Sequence, residues 1–579
     1  MTSQTMDAQI NMDETHQENE LSEFRRCAET HEVLNQATPL ENYNVYSADP
    51  ALKHWFCLFS QSLIANKDID INESICLEYG AKVGQELQQA GFLANKFTPE
   101  FQSHDRYGYR IDQINYHPAY HQLMTTAIKY GHHVLPWQSN YSNANLIRAT
   151  IAYLHTQADP GSGCPLTMTF AAVPTLKKQP NIAAEWLPKV YAQQYDPDNK
   201  PYFMKKGVTI GMAMTEKQGG SDVRANTTIA KPLNKGGSGQ PYELVGHKWF
   251  CSAPMSDAFL VLAQSQSGLS CFLLPRWRPD GEKNQFYIQR LKNKMGNLSN
   301  ASSEVEFRGA FAWMIGEEGR GVNAIIDMVS LTRFDCIMGS AALMRQGLAQ
   351  AIHYARQRQA FGRLLVDQPL MMNVLADLAV ESEAALALGM RLAFALDQPD
   401  DVEQQLFIRL VTAIGKYWVC KRAVQHTYET MECIGGMGIV EETIMPRLYR
   451  EAPVNAIWEG SGNIQCLDIL RAINKQPKVL DVFLHIVSQA KGCDLRFDLM
   501  LKKLKSQLKE AQHSEFCARS VVEQMAILLQ ASLLLQHGKT YVADAFLKSR
   551  LTEGHHQYGT LPYGVEAKRI IENALYIKD

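Results

Sequence analysis

Apolar residues recur three and four apart from about residue 48 to residue 205, as in Leu52, Trp55, Phe56, Leu58 and Phe59 or Ile147, Ile151 and Leu154. That period predicts amphipathic helices over an N-terminal domain, residues 45–205. Asp159-Pro-Gly-Ser-Gly163 interrupts the pattern, and Cys164-Pro-Leu-Thr-Met-Thr-Phe170 opens another apolar helix. From 206 to 315 the period shortens. Residues 207–214, 242–245, 258–263, 270–274, 286–288 and 304–307 read as short strands divided by Gly, Pro, Asn and Asp turns. An antiparallel barrel or sandwich is the economical reading. Beyond Gly321 the helical period returns in long runs, 327–358, 369–396 and 402–431, closed by Gly435-Gly436. Long helices on short loops predict a four-helix bundle over 320–475, and 478–579 reads as an additional helical domain. Residues 1–40 are acidic, with Asp7, Asp13, Glu14, Glu18, Glu20 and Glu23 and almost no apolar period, so a disordered tail is expected there. The fold class is mainly α with a central β-domain.

Composition narrows this only a little. A chain of 579 residues, 46% hydrophobic and 20% charged, is an ordinary globular protein of several domains. A net charge of -3 argues against a strongly basic protein, though from residue 471 onward Lys and Arg exceed Asp and Glu by 16 to 11. Twelve cysteines without a CxxC pair signal neither a zinc ribbon nor a disulfide framework. His132-His133 lacks a third ligand at suitable spacing, so no metal is expected. No apolar run reaches membrane-spanning length and no signal peptide opens the chain, which makes a cytoplasmic location the expectation.

The candidate chemistry centres on residues 446–465. Basic and aromatic residues lead past Pro453, read as forcing an extended or turning segment, to Trp458-Glu459-Gly460-Ser461-Gly462-Asn463. A carboxylate enclosed beside an indole loses solvation and gains proton affinity. Small residues and glycines let a backbone approach a polar ligand and offer it N–H groups. A proton-abstracting base beside a cofactor cradle is one reading; a surface loop with an incidental Glu is the other.

Five strings, in this order, decide between them: Cys164–Phe170, Met214-Thr-Glu-Lys-Gln-Gly-Gly-Ser-Asp222, Gly246-His-Lys-Trp-Phe250, Leu331-Thr-Arg-Phe-Asp335 and Trp458–Asn463. Together with the order of domains they resemble the acyl-CoA dehydrogenase family of flavoproteins over residues 45–475, and within it the AidB branch associated with the response to alkylation damage. The resemblance implies FAD as cofactor and Glu459 as the base that abstracts an α-proton while hydride passes to flavin N5. It implies flavin contacts from Met212, Met214, Thr215, Gly220, Ser221, Phe250, Cys251, Ser252, Ile457, Trp458, Gly460 and Ser461. Arg358-Gln-Ala-Phe361-Gly362, Gly435-Gly436, Asn463 and Gln465 resemble the positions that grip the adenosine half from a neighbouring subunit, which implies a homotetramer. Arg333 falls where relatives place an arginine near the substrate; a structural ion pair is the other reading for it. Lys217-Gln218-Gly219-Gly220 departs from the wording of ordinary dehydrogenases, and 232–239 looks like an insertion.

The AidB branch is also associated with DNA binding through its C-terminal region. Arg471, Lys475, Lys502, Lys503 and Lys505 are the candidate contacts with double-stranded DNA, and Lys502, Lys505 and Lys509 fall three and four apart. Basic side chains on one helix face neutralise phosphates without reading bases. Two alternatives stay open. One is a metabolic dehydrogenase of short or branched acyl-CoA with no DNA role; the other is a non-catalytic DNA-binding protein that keeps FAD as a structural element.

Overall fold

The computed structural model describes residues 20–25, 30–511, 515–552 and 557–577, with backbone alone for 509–511. The expected acidic tail therefore falls partly outside the described residues. Its last stretch is pinned: Thr38 donates its N–H to Gln357 Oε1 at 2.9 Å, Asn35 donates to Gln359 O, and Leu40 is buried.

The N-terminal helices run from Pro50–Gln61 to Pro180–Val190. They hold one hairpin that the sequence pattern does not show, β1 (Glu100–His104) with β2 (Arg110–Asn115), closed by Asp105 Oδ1 accepting from the N–H groups of Tyr107 and Tyr109. Its strands carry few apolar residues, so no alternation announces them. Asp159 does not end a loop. It caps the helix Pro160–Lys177, its Oδ2 accepting from Ser162 N at 2.8 Å, so the Pro-Gly-Ser-Gly run is that helix's first turn. His132 and His133 are core histidines, both held neutral by burial.

The central domain is a closed barrel of β3 (Ile210–Ala213), β4 (Ile229–Pro232), β5 (Pro241–Ser252), β6 (Ala258–Ser265), β7 (Gly268–Pro275), β8 (Phe286–Leu291) and β9 (Ser302–Ile315). The ladder runs β6-β4-β5-β9-β7 and returns to β6. β3 and β4 share one edge of β6 and both run parallel to it, a departure from the purely antiparallel expectation. Phe259, Phe272, Phe286 and Phe307 fill the interior.

Three long helices, Gly321–Ala355, Pro369–Leu396 and Val402–Ile434, form the bundle with Gly462–Lys475 and Met445–Ile457. The last of these corrects an expectation, because Pro453 sits inside it instead of breaking it. Proline removes one backbone bond there, and burial of Leu448, Glu451, Ala452 and Asn455 holds the helix regardless. Beyond Lys478 the helices Ala518–His537 and Thr540–Arg550 dock on the bundle, and Leu495–Ala511 packs against Ala518–His537. The helical segment Glu515–His537 is long and apolar enough to span a membrane by composition, contrary to the sequence reading, but 72% of its apolar window is buried in the protein. One apolar core joins Trp55 and Leu123 to Met338, Leu388, Phe497, Leu529 and Phe546.

Candidate active site

Four elements meet around Glu459. The helix Met445–Ile457 ends at Trp458, and Glu459 takes a left-handed φ of +58° before Gly460 at +98°. A non-glycine residue in that region costs about 1–2 kcal/mol, so the turn needs outside support. It has three donors. Arg333 Nε reaches Glu459 O at 3.0 Å, Gln465 Nε2 reaches Gly460 O at 2.8 Å and Glu459 O at 3.1 Å, and Lys416 Nζ reaches Gly460 O at 2.8 Å. The Glu459 carboxylate is half-buried, and its Oε2 accepts from Thr332 Oγ1 at 2.7 Å. Among the described residues no hydrogen bond engages Oε1.

Trp458 donates Nε1 to Asn455 Oδ1 at 3.0 Å and packs with Met212 against Cys164, Met168 and Ala253. Burial pushes the Cys164 thiol up to about 12, so it is an apolar wall and no nucleophile. Beside this wall the end of β5 alternates. Phe250 is 48% exposed and Ser252 half-buried on one face, whereas Cys251 turns into the barrel core. The β5–β9 ladder skips Trp249 and Phe250, and Trp249 N bonds instead to Thr215 O at 2.9 Å. That bond brings the Thr215–Ser221 loop beside the strand. At Gly220 a Cβ would stand 2.4 Å from Thr215 Oγ1, so only glycine lets the loop pass.

Trp458, Met212, Ser252 and Glu459 thus gather around Cys164, with Ile457, Gly460 and Ser461 adjoining Glu459 in the chain. Thr215 and Gly220, flanked by Met214 and Ser221 in the chain, lie beside Trp249, the neighbour of Phe250. The structure corrects three assignments. The Cys251 side chain is buried in the barrel core, which leaves only its backbone for a flavin contact. Gln465 is fully buried and holds the Glu459 turn, so it does not lie on the adenine side. Arg333 donates to the Glu459 carbonyl and pairs with Asp468 at 2.7 Å, so it forms the structural ion pair that was the other reading for it, and it supports the turn. Asn463 is exposed but accepts from Arg519 Nε at 2.8 Å. Arg358 donates to Asn35 O, Phe361 is 98% exposed, and nothing lies within 4 Å of a Cβ built at Gly435 or Gly436. Arg471, Lys475, Lys502, Lys503 and Lys505 are all exposed. Lys416 escaped the sequence reading, and Thr332 entered it only as a member of the Leu331–Asp335 string, with no role assigned. A lone lysine among the apolar positions of Val402–Ile434 was the available signal for Lys416.

A barrel between helical domains, with a carboxylate on a braced left-handed turn, has the layout of an acyl-CoA dehydrogenase. Residues 211–310 match the acyl-CoA dehydrogenase middle domain and 319–474 the acyl-CoA dehydrogenase C-terminal domain, and the chain belongs to this family of flavoprotein oxidoreductases. Residues 35–197 match the adaptive response protein AidB N-terminal domain, which places it among the AidB-like members. AidB of Escherichia coli (strain K12) is 43% identical over 553 residues, covering 95% of this chain and 98% of that protein. Acyl-CoA dehydrogenase family member 11 of Caenorhabditis elegans is 30% identical over 499 residues, covering 81% of this chain and 77% of that protein. The crystal structure of Caenorhabditis elegans ACDH-11 in complex with C11-CoA superposes with a TM-score of 0.81 at 27% identity, over 90% of this chain and 92% of that one.

FAD is the cofactor of this family and of this chain. The residues fit it. A flat, amphipathic ring needs apolar faces with hydroxyl donors at the edge, which Met212, Trp458 and Phe250 supply together with Thr215, Ser221 and Ser252.

Proposed function

We propose that this protein dehydrogenates an acyl-CoA thioester with Glu459 as the base, and that it also binds duplex DNA through its C-terminal helices. The observation that carries the catalytic reading is the posture of Glu459. Thr332 fixes Oε2, the turn is braced from three sides, and Oε1 remains open to take a proton. The thioester carbonyl acidifies the neighbouring C–H, and Oε1 accepts the α-proton. Bound FAD supplies the acceptor for the hydride that leaves the β-carbon. Trp458, Cys164 and Met168 form an apolar wall that would keep water from the reacting carbon, and the Thr215, Ser221 and Ser252 hydroxyls would hold the ring's polar edge.

The C11-CoA bound to the Caenorhabditis elegans relative supports an acyl chain of that length as the first test substrate. Exposed Phe361, Gly435 and Gly436 support a homotetramer in which a second copy covers them. The DNA reading is supported by the exposure of Lys502, Lys503 and Lys505 opposite buried Leu501, Leu504 and Leu508, and by the absence of an ion pair to any of the three among the described residues. A cytoplasmic location belongs to the same reading.

Steady-state turnover of undecanoyl-CoA with an electron-accepting dye tests the catalytic half. Glu459→Gln should cut kcat by about 10²–10⁴ while leaving FAD bound. Equal turnover by the variant would remove Glu459 from the chemistry. An FAD-loaded wild type that turns over no acyl-CoA of any chain length would favour the non-catalytic alternative.

A further inference from the structure

Behind Ser252 stands a lysine that the site's motifs leave unassigned. Lys294 lies between β8 and β9, and its Nζ donates to Asn300 O at 2.6 Å and to Ser302 Oγ at 3.0 Å. Ser302 Oγ in turn meets Ser252 Oγ at 3.0 Å, where β9 pairs with the end of β5. The ammonium thus stands two hydrogen bonds behind the hydroxyl on the flavin-facing wall. Among the described residues no carboxylate pairs with it. Glu451 is near but engaged, its Oε1 accepting from Asn297 N at 2.6 Å, and burial raises that carboxyl to about 7. Burial lowers Lys294 to about 8, against the pull of Cys164 and Glu451, so at neutral pH it is still mostly charged. Its acceptors are a carbonyl and a hydroxyl, both neutral. No anion therefore stands in the hydrogen-bonded path between the charge and the space in front of Ser252.

We propose that Lys294 is a positioning residue for the bound flavin: it orients the Ser302–Ser252 hydroxyl pair toward the ring and places a positive charge behind it, favouring the reduced cofactor. The inference rests on the placement of the flavin ring against Ser252. Two-electron reduction adds two electrons and one proton, as a hydride from substrate or as electrons from dithionite with a proton from water, and leaves one net negative charge on the ring. A cation held behind Ser252 stabilises that charge. One unit charge several ångströms away, at an effective dielectric near 20, changes such an equilibrium by about tenfold or more.

The test is the reduction equilibrium of the FAD-loaded, full-length protein, read against a reference dye as dithionite is added. Lys294→Met should lower the ratio of reduced to oxidised FAD by about tenfold or more, about 30 mV or more for a two-electron couple. Lys294→Arg should restore the ratio to within about threefold of wild type, because it keeps the charge. If Lys294→Met does not retain FAD, Lys294→Gln carries the same expectation. A lysine that only ties down its loop would change stability without moving this ratio. Ser252→Ala separates the two ways of failing. If it shifts the ratio while the neutral Lys294 variants do not, Lys294 has no such role and the ring's placement stands. If neither substitution moves the ratio, the placement against Ser252 is wrong and the inference falls with it.

Discussion

Glu459 combines the chemically useful side chain with a backbone angle that suits glycine. The left-handed φ of +58° is sustained by Arg333, Gln465 and Lys416, all donating to carbonyls of the same turn. A site that stores strain to aim one group loses little when that group is removed. Glu459→Gly is accordingly expected to be inactive yet at least as stable as wild type, by up to about 1 kcal/mol, in urea unfolding of the FAD-loaded protein. A loss of 2 kcal/mol or more would mean that the Thr332 bond outweighs the strain. The residues flanking Glu459 were legible because the carboxylate, its indole neighbour and the glycines are contiguous in sequence. Thr332 was not. It lies 127 residues away on another helix, and only packing brings its hydroxyl to the carboxylate. Arg333 was legible as important, but its direction was not, since a motif does not say which of its atoms meets a backbone carbonyl.

Among elements, the glycine loop after β3 depends on a buried pair. Glu216 and Lys248 meet at 2.7 Å with both side chains fully buried, and Glu216 also accepts from Thr227 N at 2.7 Å and Thr228 Oγ1 at 2.6 Å. Burial works against the Glu216 charge, but Lys248, Thr228 and the Thr227 N–H outweigh it and hold the carboxyl well below its usual range. The sign follows: a carboxylate with a depressed folded-state pKa contributes stability above its unfolded pKa, near 4.3, and loses that contribution as the pH falls below it. Lys248→Met strands the carboxylate. It should cost about 3–5 kcal/mol, flatten the acid limb of the stability profile and weaken FAD retention, all measurable by denaturant titration across pH. An acid limb unchanged from wild type would show that the pair does not hold the loop. The period-two pattern of β5 was enough to read a strand, yet not enough to assign faces. Cys251 was grouped with Phe250 and Ser252, although alternation turns its side chain to the barrel interior. The β1–β2 hairpin and the helix through Pro453 stayed hidden for the opposite reason, because local composition there argues against the element that tertiary packing enforces.

At the scale of the whole molecule, the additional C-terminal helices are part of the main body. Arg550 joins them to the bundle through Asp377 at 2.6 Å and Glu381 at 2.9 Å, and Arg422 shares Glu381. The helical parts share one apolar core, while the basic helix Leu495–Ala511 keeps Lys502, Lys503 and Lys505 outward. DNA affinity, if carried there, should fall steeply with salt, and replacing Lys502, Lys503 and Lys505 by Glu should reduce the log–log slope by about 2–3. A slope that does not change on substitution would place any DNA contact elsewhere. The order of domains and the helix–barrel–bundle architecture were legible from periodicity and motifs. The shared core was not, since burial across domains leaves no local pattern. The central claim remains that Glu459 Oε1 takes an α-proton. The most direct measurement is loss of deuterium from α-deuterated undecanoyl-CoA under anaerobic conditions, followed by mass spectrometry with FAD-loaded wild type and Glu459→Gln. The account predicts washout by the wild type, slowed about 10²-fold or more in the variant; washout at the same rate in both, or in neither, would contradict it.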